Sequence, residues 1–216
     1  MSRPARQGRP ARDDRPVRTP GGGPLATTRV LLFPGAGSDR SHAALVAVDD
    51  ALSAVGAAVE RVDFPYRRAG RRAPDRAPVL CAAIAEAVAG SAGSGASDRP
   101  RLVLGGRSMG GRMCSLATAD ARVRPDALVL IAFPLHPPGK PERAAERMAH
   151  LARIDVPCLF VHGTRDPFAS PDELRAATAT IPGAVTHHWV EGGRHDLAGA
   201  DAAVAAVVRD WLVGGF

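Results

Sequence analysis

Leu102-Val103-Leu104-Gly105-Gly106-Arg107-Ser108-Met109-Gly110-Gly111-Arg112 carries the strongest architectural signal in the chain. An apolar run breaks at glycine, presents one serine between Gly106 and Gly110, and passes at once into a helical pattern. This spacing has a steric cause. A serine on a sharp strand-to-helix turn leaves no room for side chains two positions before and two after it, where the incoming strand and outgoing helix meet. The same turn leaves the first helical N–H groups unpaired and aimed at the place where an oxyanion would form. A glycine-rich turn with an incidental serine has the same five letters, so the rest of the chain must decide between them.

Two more polar residues fall at the carboxyl ends of strand-like runs. Pro157-Cys-Leu-Phe-Val-His-Gly163 reads as a buried strand and is followed by Thr164-Arg-Asp-Pro167. Val185 to Val190 reads as the next strand and is followed by Glu191-Gly-Gly-Arg-His-Asp196. An amphipathic helix comes after it, with Val204, Val207, Val208, Trp211 and Leu212 on one face. Ser108, Asp166 and His195 thus occur in the order nucleophile, acid, histidine, each at a strand end.

Before the turn, Thr28 to Phe33 is an apolar strand leading into Pro34-Gly-Ala-Gly-Ser-Asp39, then a helix with Leu45, Val48, Leu52 and Val55 on one face. Ala58 to Phe64 reads as a second strand, Arg67 to Arg72 as an arginine-rich loop, and the segment after Asp75 as a helix striped by Val79, Leu80, Ala83, Ile84, Ala87 and Val88. Residues 90–100 form a Gly/Ser/Ala linker. Ala127 to Phe133 is a further strand, followed by a Pro-rich turn and a helix near Glu142 to Leu151. Strands that are apolar throughout and alternate with helices indicate a mostly parallel sheet of about six strands with helices on both faces, an α/β fold.

Composition limits the alternatives. A chain of 216 residues can bury one substantial core, and residues 28–216 read as one domain. Residues 1–27 carry Arg3, Arg6, Arg9, Arg12, Arg15 and Arg18 among Pro, Gly and Asp, and with them most of the formal charge of +6. Such a stretch buries too little apolar surface to offset the entropy of ordering, so a disordered tail is expected. It lacks the interleaved aromatics of a nucleic-acid binder, and a solvated tail with no partner is the simpler reading. No apolar run reaches the 18 or so residues of a membrane span, and no secretory signal is visible. Cys81, Cys114 and Cys158 lack metal-like spacing and read as buried thiols in a reducing, cytoplasmic compartment. No dinucleotide fingerprint, phosphate loop or metal cluster is apparent, so no cofactor and no metal are expected.

Six ordered segments carry a family resemblance: Phe33-Pro-Gly-Ala-Gly37, Asp63-Phe-Pro-Tyr66, Gly105-Gly-Arg-Ser-Met-Gly-Gly-Arg112, Phe133-Pro-Leu-His-Pro-Pro-Gly-Lys140, Gly163-Thr-Arg-Asp-Pro-Phe168 and Gly193-Arg-His-Asp196. They extend over nearly all of residues 29–216. In them the chain resembles the small lidless α/β-hydrolases related to dienelactone hydrolase, in a bacterial branch whose eukaryotic relatives include a subunit of a histone-acetyltransferase complex. The resemblance implies the α/β-hydrolase fold. Two departures matter. Dienelactone hydrolases proper use a cysteine nucleophile where this chain has Ser108, and the first glycine loop of the family usually begins with histidine where Pro34 stands.

Triad chemistry assigns the roles. Ser108 attacks an acyl carbonyl, His195 takes its proton and returns one to the leaving group, and Asp166 holds the imidazole tautomer. The backbone N–H groups of Met109 and Ala36 are the expected oxyanion donors. Gly35, Gly37, Tyr66, Arg107 and His136 are candidates for the wall of the substrate pocket. Asp196 adjoins His195 in sequence and is poorly placed to orient it. His187 and His188 fall inside a strand, and His162 at a strand end suits a structural hydrogen bond. Arg67, Arg68, Arg71, Arg72, Arg107 and Arg112 gather at strand carboxyl ends, where open α/β sheets bind ligands. They fit either an acidic acyl substrate or an ordinary set of solvated and ion-paired arginines. Two functions stay open: a serine hydrolase of a small ester or thioester, and a hydrolase-fold protein that binds or scaffolds with little turnover.

Overall fold

A computed structural model describes residues 22–90 and 100–216. Most of the arginine-rich tail and of the Gly/Ser/Ala linker therefore lies outside the described residues. Residues 22–27 form turns that lead into the first strand.

Six strands make one sheet: β1 (Thr28–Phe33), β2 (Ala58–Arg61), β3 (Arg101–Arg107), β4 (Ala127–Ile131), β5 (Cys158–Gly163) and β6 (Val185–Val190). Every neighbouring pair is parallel, in the order β2-β1-β3-β4-β5-β6. The helices are α1 (Ala43–Ser53), α2 (Pro65–Arg68), α3 (Ala77–Gly90), α4 (Met109–Ala119), α5 (Ala144–Met148), α6 (Pro171–Thr178) and α7 (Asp201–Val213).

The strand period explains why both faces are covered. Alternate side chains of one strand point to opposite sides of the sheet, and here both sets are apolar. Val30, Leu32, Val103, Val129, Leu159 and Val161 pack with Leu45, Val48 and Leu52 of α1 and Val204, Val208 and Leu212 of α7. Leu31, Phe33, Leu104, Leu128, Leu130 and Phe160 pack on the other face with Leu80 and Ile84 of α3, Met113 of α4 and Leu174 of α6. Each such Leu, Ile or Phe is worth about 1.5–3 kcal/mol relative to exposure, so the two cores hold the sheet rigid beneath the loops.

Three departures from the sequence reading have local causes. β2 is an edge strand that stops at Arg61, because Phe64-Pro65 opens the short helix α2 with proline at its first position. Part of the expected arginine loop is thereby helical. The expected helix of 142–151 is interrupted: single 3₁₀ turns, Pro141–Arg143 and Leu151–Arg153, flank the five residues of α5. At the second break His150 turns inward and is buried against Ser115. Helix α6 was not anticipated. Its signal is Ser170-Pro-Asp-Glu173, a capping box in which the serine side chain receives the Glu173 N–H while Glu173 receives the Ser170 N–H.

The strand order reverses between β1 and β3. In an open α/β sheet, a crevice forms outside the strand ends at such a switch. The glycine loop after β1 and the serine turn after β3 both open there, with Phe33 in register with Gly106.

Candidate active site

Ser108 stands between β3 and α4 with φ 51° and ψ −117°. A non-glycine residue in this region is strained by roughly 1–3 kcal/mol and persists only when its surroundings enforce it. They do. The Ser108 N–H donates to the Ile131 carbonyl at 2.8 Å, and the Ser108 carbonyl accepts from Arg112 N–H at 3.0 Å. A Cβ on Gly106 would come 2.6 Å from the Phe33 carbonyl oxygen, and one on Gly110 would come 2.2 Å from it. This is the crowding inferred from the spacing. Although Ser108 caps α4, its side chain makes no cap hydrogen bond, so its Oγ is free for other use.

Ser108 Oγ lies 2.8 Å from His195 Nε2, and His195 Nδ1 lies 2.7 Å from Asp166 Oδ2. The Asp166 carboxylate is fully enclosed, and its Oδ1 accepts the Phe168 N–H at 2.8 Å. The Phe168 ring stacks on the imidazole with centroids 4.0 Å apart. Such a line fixes the tautomer: Nδ1 carries the proton given to the carboxylate and Nε2 faces the hydroxyl with a lone pair.

Loop-to-loop bonds hold these groups in place. The Arg165 N–H donates to the Gly193 carbonyl at 2.9 Å, and the Gly192 N–H donates to Thr164 Oγ1 at 2.8 Å. A Cβ on Gly163 would lie 2.3 Å from the Gly193 oxygen, so glycine lets the acid turn and the histidine loop touch. Leu197, at φ 52° and buried, anchors the far side of the histidine loop in the α1–α7 core.

Ser108 opens on a cavity of about 330 Å³. Ala36, Met109, Pro134 and Phe168 line it near the hydroxyl, and Ala77, Leu80 and Met113 form an apolar wall. Arg112, Arg147 and Asp75 supply the charge. Among the described residues neither the Ala36 nor the Met109 backbone N–H donates to the protein, and both residues border Ser108's cavity.

Several expected wall residues lie elsewhere. Tyr66 is fully buried, and its hydroxyl donates to the Ala36 carbonyl at 3.0 Å, bracing the glycine loop from behind. Burial raises its pKa, which keeps the phenol a donor. Arg107 turns from the cavity, and its guanidinium donates to the His195 carbonyl at 2.8 Å. His136 is buried, with Nδ1 2.9 Å from the Pro137 carbonyl and Nε2 3.4 Å from Glu173. Gly35 faces the Arg107 guanidinium, and Gly37 meets nothing. None of these five borders the cavity. In the arginine-rich segment, Arg67 pairs with Asp39 at 3.1 Å and Arg71 with Asp75 at 2.8 Å.

His42, His162 and His187 have structural partners. His162 Nε2 donates to the Ala169 carbonyl at 2.9 Å, and burial lowers its pKa. His187 meets Thr178 Oγ1 at 2.9 Å and stacks on Trp189. His42 caps α1 by accepting the Ala44 N–H. Asp196 accepts its own loop's Ala198 N–H at 3.3 Å rather than bonding the imidazole. Phe168 and Arg147 were not anticipated as site residues. Phe168 could have been found as the residue two after the acid, but nothing in sequence points to Arg147.

The alpha/beta hydrolase domain family matches residues 26–205, and the chain belongs to that family. Its fold is shared by solved structures of low identity. Est1E from Butyrivibrio proteoclasticus, solved with ferulic acid bound, aligns with TM-score 0.70 at 17% identity, covering 87% of this chain and 88% of that one. Dienelactone hydrolase from Anabaena variabilis aligns with TM-score 0.71 at 20% identity, over 90% and 88% of the two chains. RedJ, a thioesterase of the prodiginine pathway in Streptomyces coelicolor, aligns with TM-score 0.62 at 21% identity, over 94% and 92%. Among the described residues no helix is long and apolar enough to cross a membrane.

Proposed function

We propose that this alpha/beta hydrolase domain cleaves a small ester or thioester through a covalent acyl-serine at Ser108. The observation that carries this reading is the 2.8 Å contact between Ser108 Oγ and His195 Nε2 at the edge of a cavity. As Oγ bonds to the acyl carbon, its proton passes to His195 Nε2, and Asp166 stabilises the resulting imidazolium through Nδ1–H. The carbonyl oxygen becomes an oxyanion facing the N–H groups of Met109 and Ala36; one such donor is typically worth about 2.7–4 kcal/mol. The bond from carbon to the leaving oxygen or sulfur then breaks, and His195 returns the proton to that atom. Water repeats the sequence, releasing the acid and restoring Ser108.

Two features support this assignment over scaffolding alone. The strained turn at Ser108 and the enclosed Asp166 both cost stability, and neither is needed for a passive surface. The free, buried Cys81, Cys114 and Cys158 suit the expected reducing, cytoplasmic setting.

A fluorophosphonate probe tests the reading directly. Stoichiometric labelling of the wild type with none of Ser108→Ala, together with hydrolysis of a short-chain aryl ester, is the expected result. Equal esterase rates in both proteins, with neither taking the probe, would leave binding or scaffolding as the function.

A further inference from the structure

Arg112 begins the second turn of α4, its N–H bonded to the Ser108 carbonyl, and its side chain enters the cavity that Ser108 opens on. Its Nε is buried with no hydrogen-bond partner, and among the described residues no carboxylate lies within ion-pairing distance. Arg147 reaches the same cavity from α5, equally without an ion pair among the described residues. The third charged lining residue, Asp75, is already held by Arg71 at 2.8 Å. Two cations therefore converge on a space otherwise walled by Ala77, Leu80, Met113 and Pro134.

Two like charges facing one cavity repel each other. Burial pulls the Arg112 guanidinium below its ordinary value, and the like charge of Arg147 pulls it further. Arg112 and Arg147 are both half-buried, and an anion placed between two such like charges relieves their repulsion and supplies the enclosed Arg112 Nε with a partner. The backbone behind Arg112 is fixed for the purpose: Ser115 Oγ donates to its carbonyl at 2.8 Å and is held in turn by His150 at 2.8 Å.

We propose that Arg112 and Arg147 form a carboxylate subsite, and that the preferred substrate is an ester or thioester whose acyl chain ends in a second carboxylate. The inference rests on the hydrolase reading above. Its direction follows from the proton path: the leaving group must depart past His195, which protonates it. His195 does not line the cavity that Ser108, Arg112 and Arg147 share, so the pair is assigned to the acyl side. A planar guanidinium matches a carboxylate in a two-pronged hydrogen bond, and a one-turn offset from the nucleophile (about 5.4 Å) suits a short dicarboxylic chain.

The test compares three esters at equal ionic strength: mono-4-nitrophenyl glutarate, neutral 4-nitrophenyl pentanoate, and the pentanoate ester of 4-hydroxybenzoate, which carries its charge on the leaving group. Wild type should favour the glutarate over the neutral ester by about tenfold or more in kcat/KM, with no such preference for the benzoate. Arg112→Met and Arg147→Met should each collapse that ratio toward one, and Arg112→Lys should restore part of it. If Arg112→Met does not fold, Arg147→Met carries the comparison. A wild-type ratio near or below one, a ratio unchanged in the foldable variants, or a preference for the benzoate overturns the proposal. Should no ester turn over, the hydrolase reading fails, and calorimetric binding of glutarate decides the subsite alone. Binding lost in the arginine variants supports it, and no binding to wild type overturns it.

Discussion

The Arg107 guanidinium donates a 2.8 Å hydrogen bond to the backbone carbonyl of His195, tying the residue before the serine to the loop that carries the imidazole. The two are 88 positions apart in the chain, yet this bond ties the serine turn directly to the histidine loop. The Arg107 side chain is half-buried, and burial lowers its pKa. Arg107→Met should leave KM for a neutral aryl ester nearly unchanged while lowering kcat by about tenfold to a hundredfold, since misplacement of a catalytic group by about 1 Å costs this much. Arg107→Lys should recover part of the loss. A rise in KM with kcat intact would return Arg107 to the substrate wall.

Gly110 and Gly37 separate steric need from mere glycine richness. A Cβ on Gly110 would come 2.2 Å from the Phe33 carbonyl oxygen, a backbone atom that cannot swing away, whereas one on Gly37 meets nothing within 4 Å. Gly110→Ala should destabilise the fold by about 3 kcal/mol or more, at the upper end of overpacking costs, and Gly37→Ala by less than about 0.5 kcal/mol. Urea melts of the two variants check this, and similar midpoints would refute the assigned crowding.

Non-additivity follows from the hydrogen-bonded line of Ser108, His195 and Asp166. If the three act as one proton-transfer unit, Ser108→Ala and His195→Ala should each remove nearly all turnover, and the double variant should be scarcely worse. Asp166→Asn should lose about 10⁴-fold through the wrong tautomer. Multiplicative losses in the double variant would mean the residues act separately.

What the sequence revealed was what local sterics dictate. The glycines around Ser108 mark a turn that cannot tolerate side chains, and the apolar runs at Thr28–Phe33 and Val185–Val190 match observed strands to the residue. The order of Ser108, Asp166 and His195 was legible because each lies just past a strand end, and parallel topology brings those ends together. The pocket wall was not. Whether Tyr66 faces the cavity or the back of the glycine loop depends on a χ angle and on packing against Phe64, at a ring separation of 6.3 Å, which no local pattern encodes. Arg147 likewise lines the cavity from a five-residue helix, followed by His150 bound to Ser115, an arrangement that no local pattern encodes.

That last contact also sets an acid limit on stability. His150 is 5% exposed, and burial, with Arg112 and Arg153 nearby, lowers its pKa from 6.5 to about 4; the Arg147 carbonyl and Asp120 oppose this only in part. The unfolded chain therefore binds a proton at His150 between about pH 6.5 and 4 that the folded chain refuses. Stability from this group is fully present above pH 6.5 and is lost progressively as pH falls toward 4, by roughly 3 kcal/mol in total. Replacing the ring by a group that does not titrate, His150→Gln, should lower stability at pH 7.5 through the lost packing but flatten the decline across that window. Thermal or urea melts of wild type and variant at matched pH check this, and the sign is fixed: the gap between them should narrow on acidification. A gap that stays constant down to pH 4 would show that His150 titrates in the fold as it does in water, and one that widens would show that the fold favours its protonated form; either outcome refutes the burial effect.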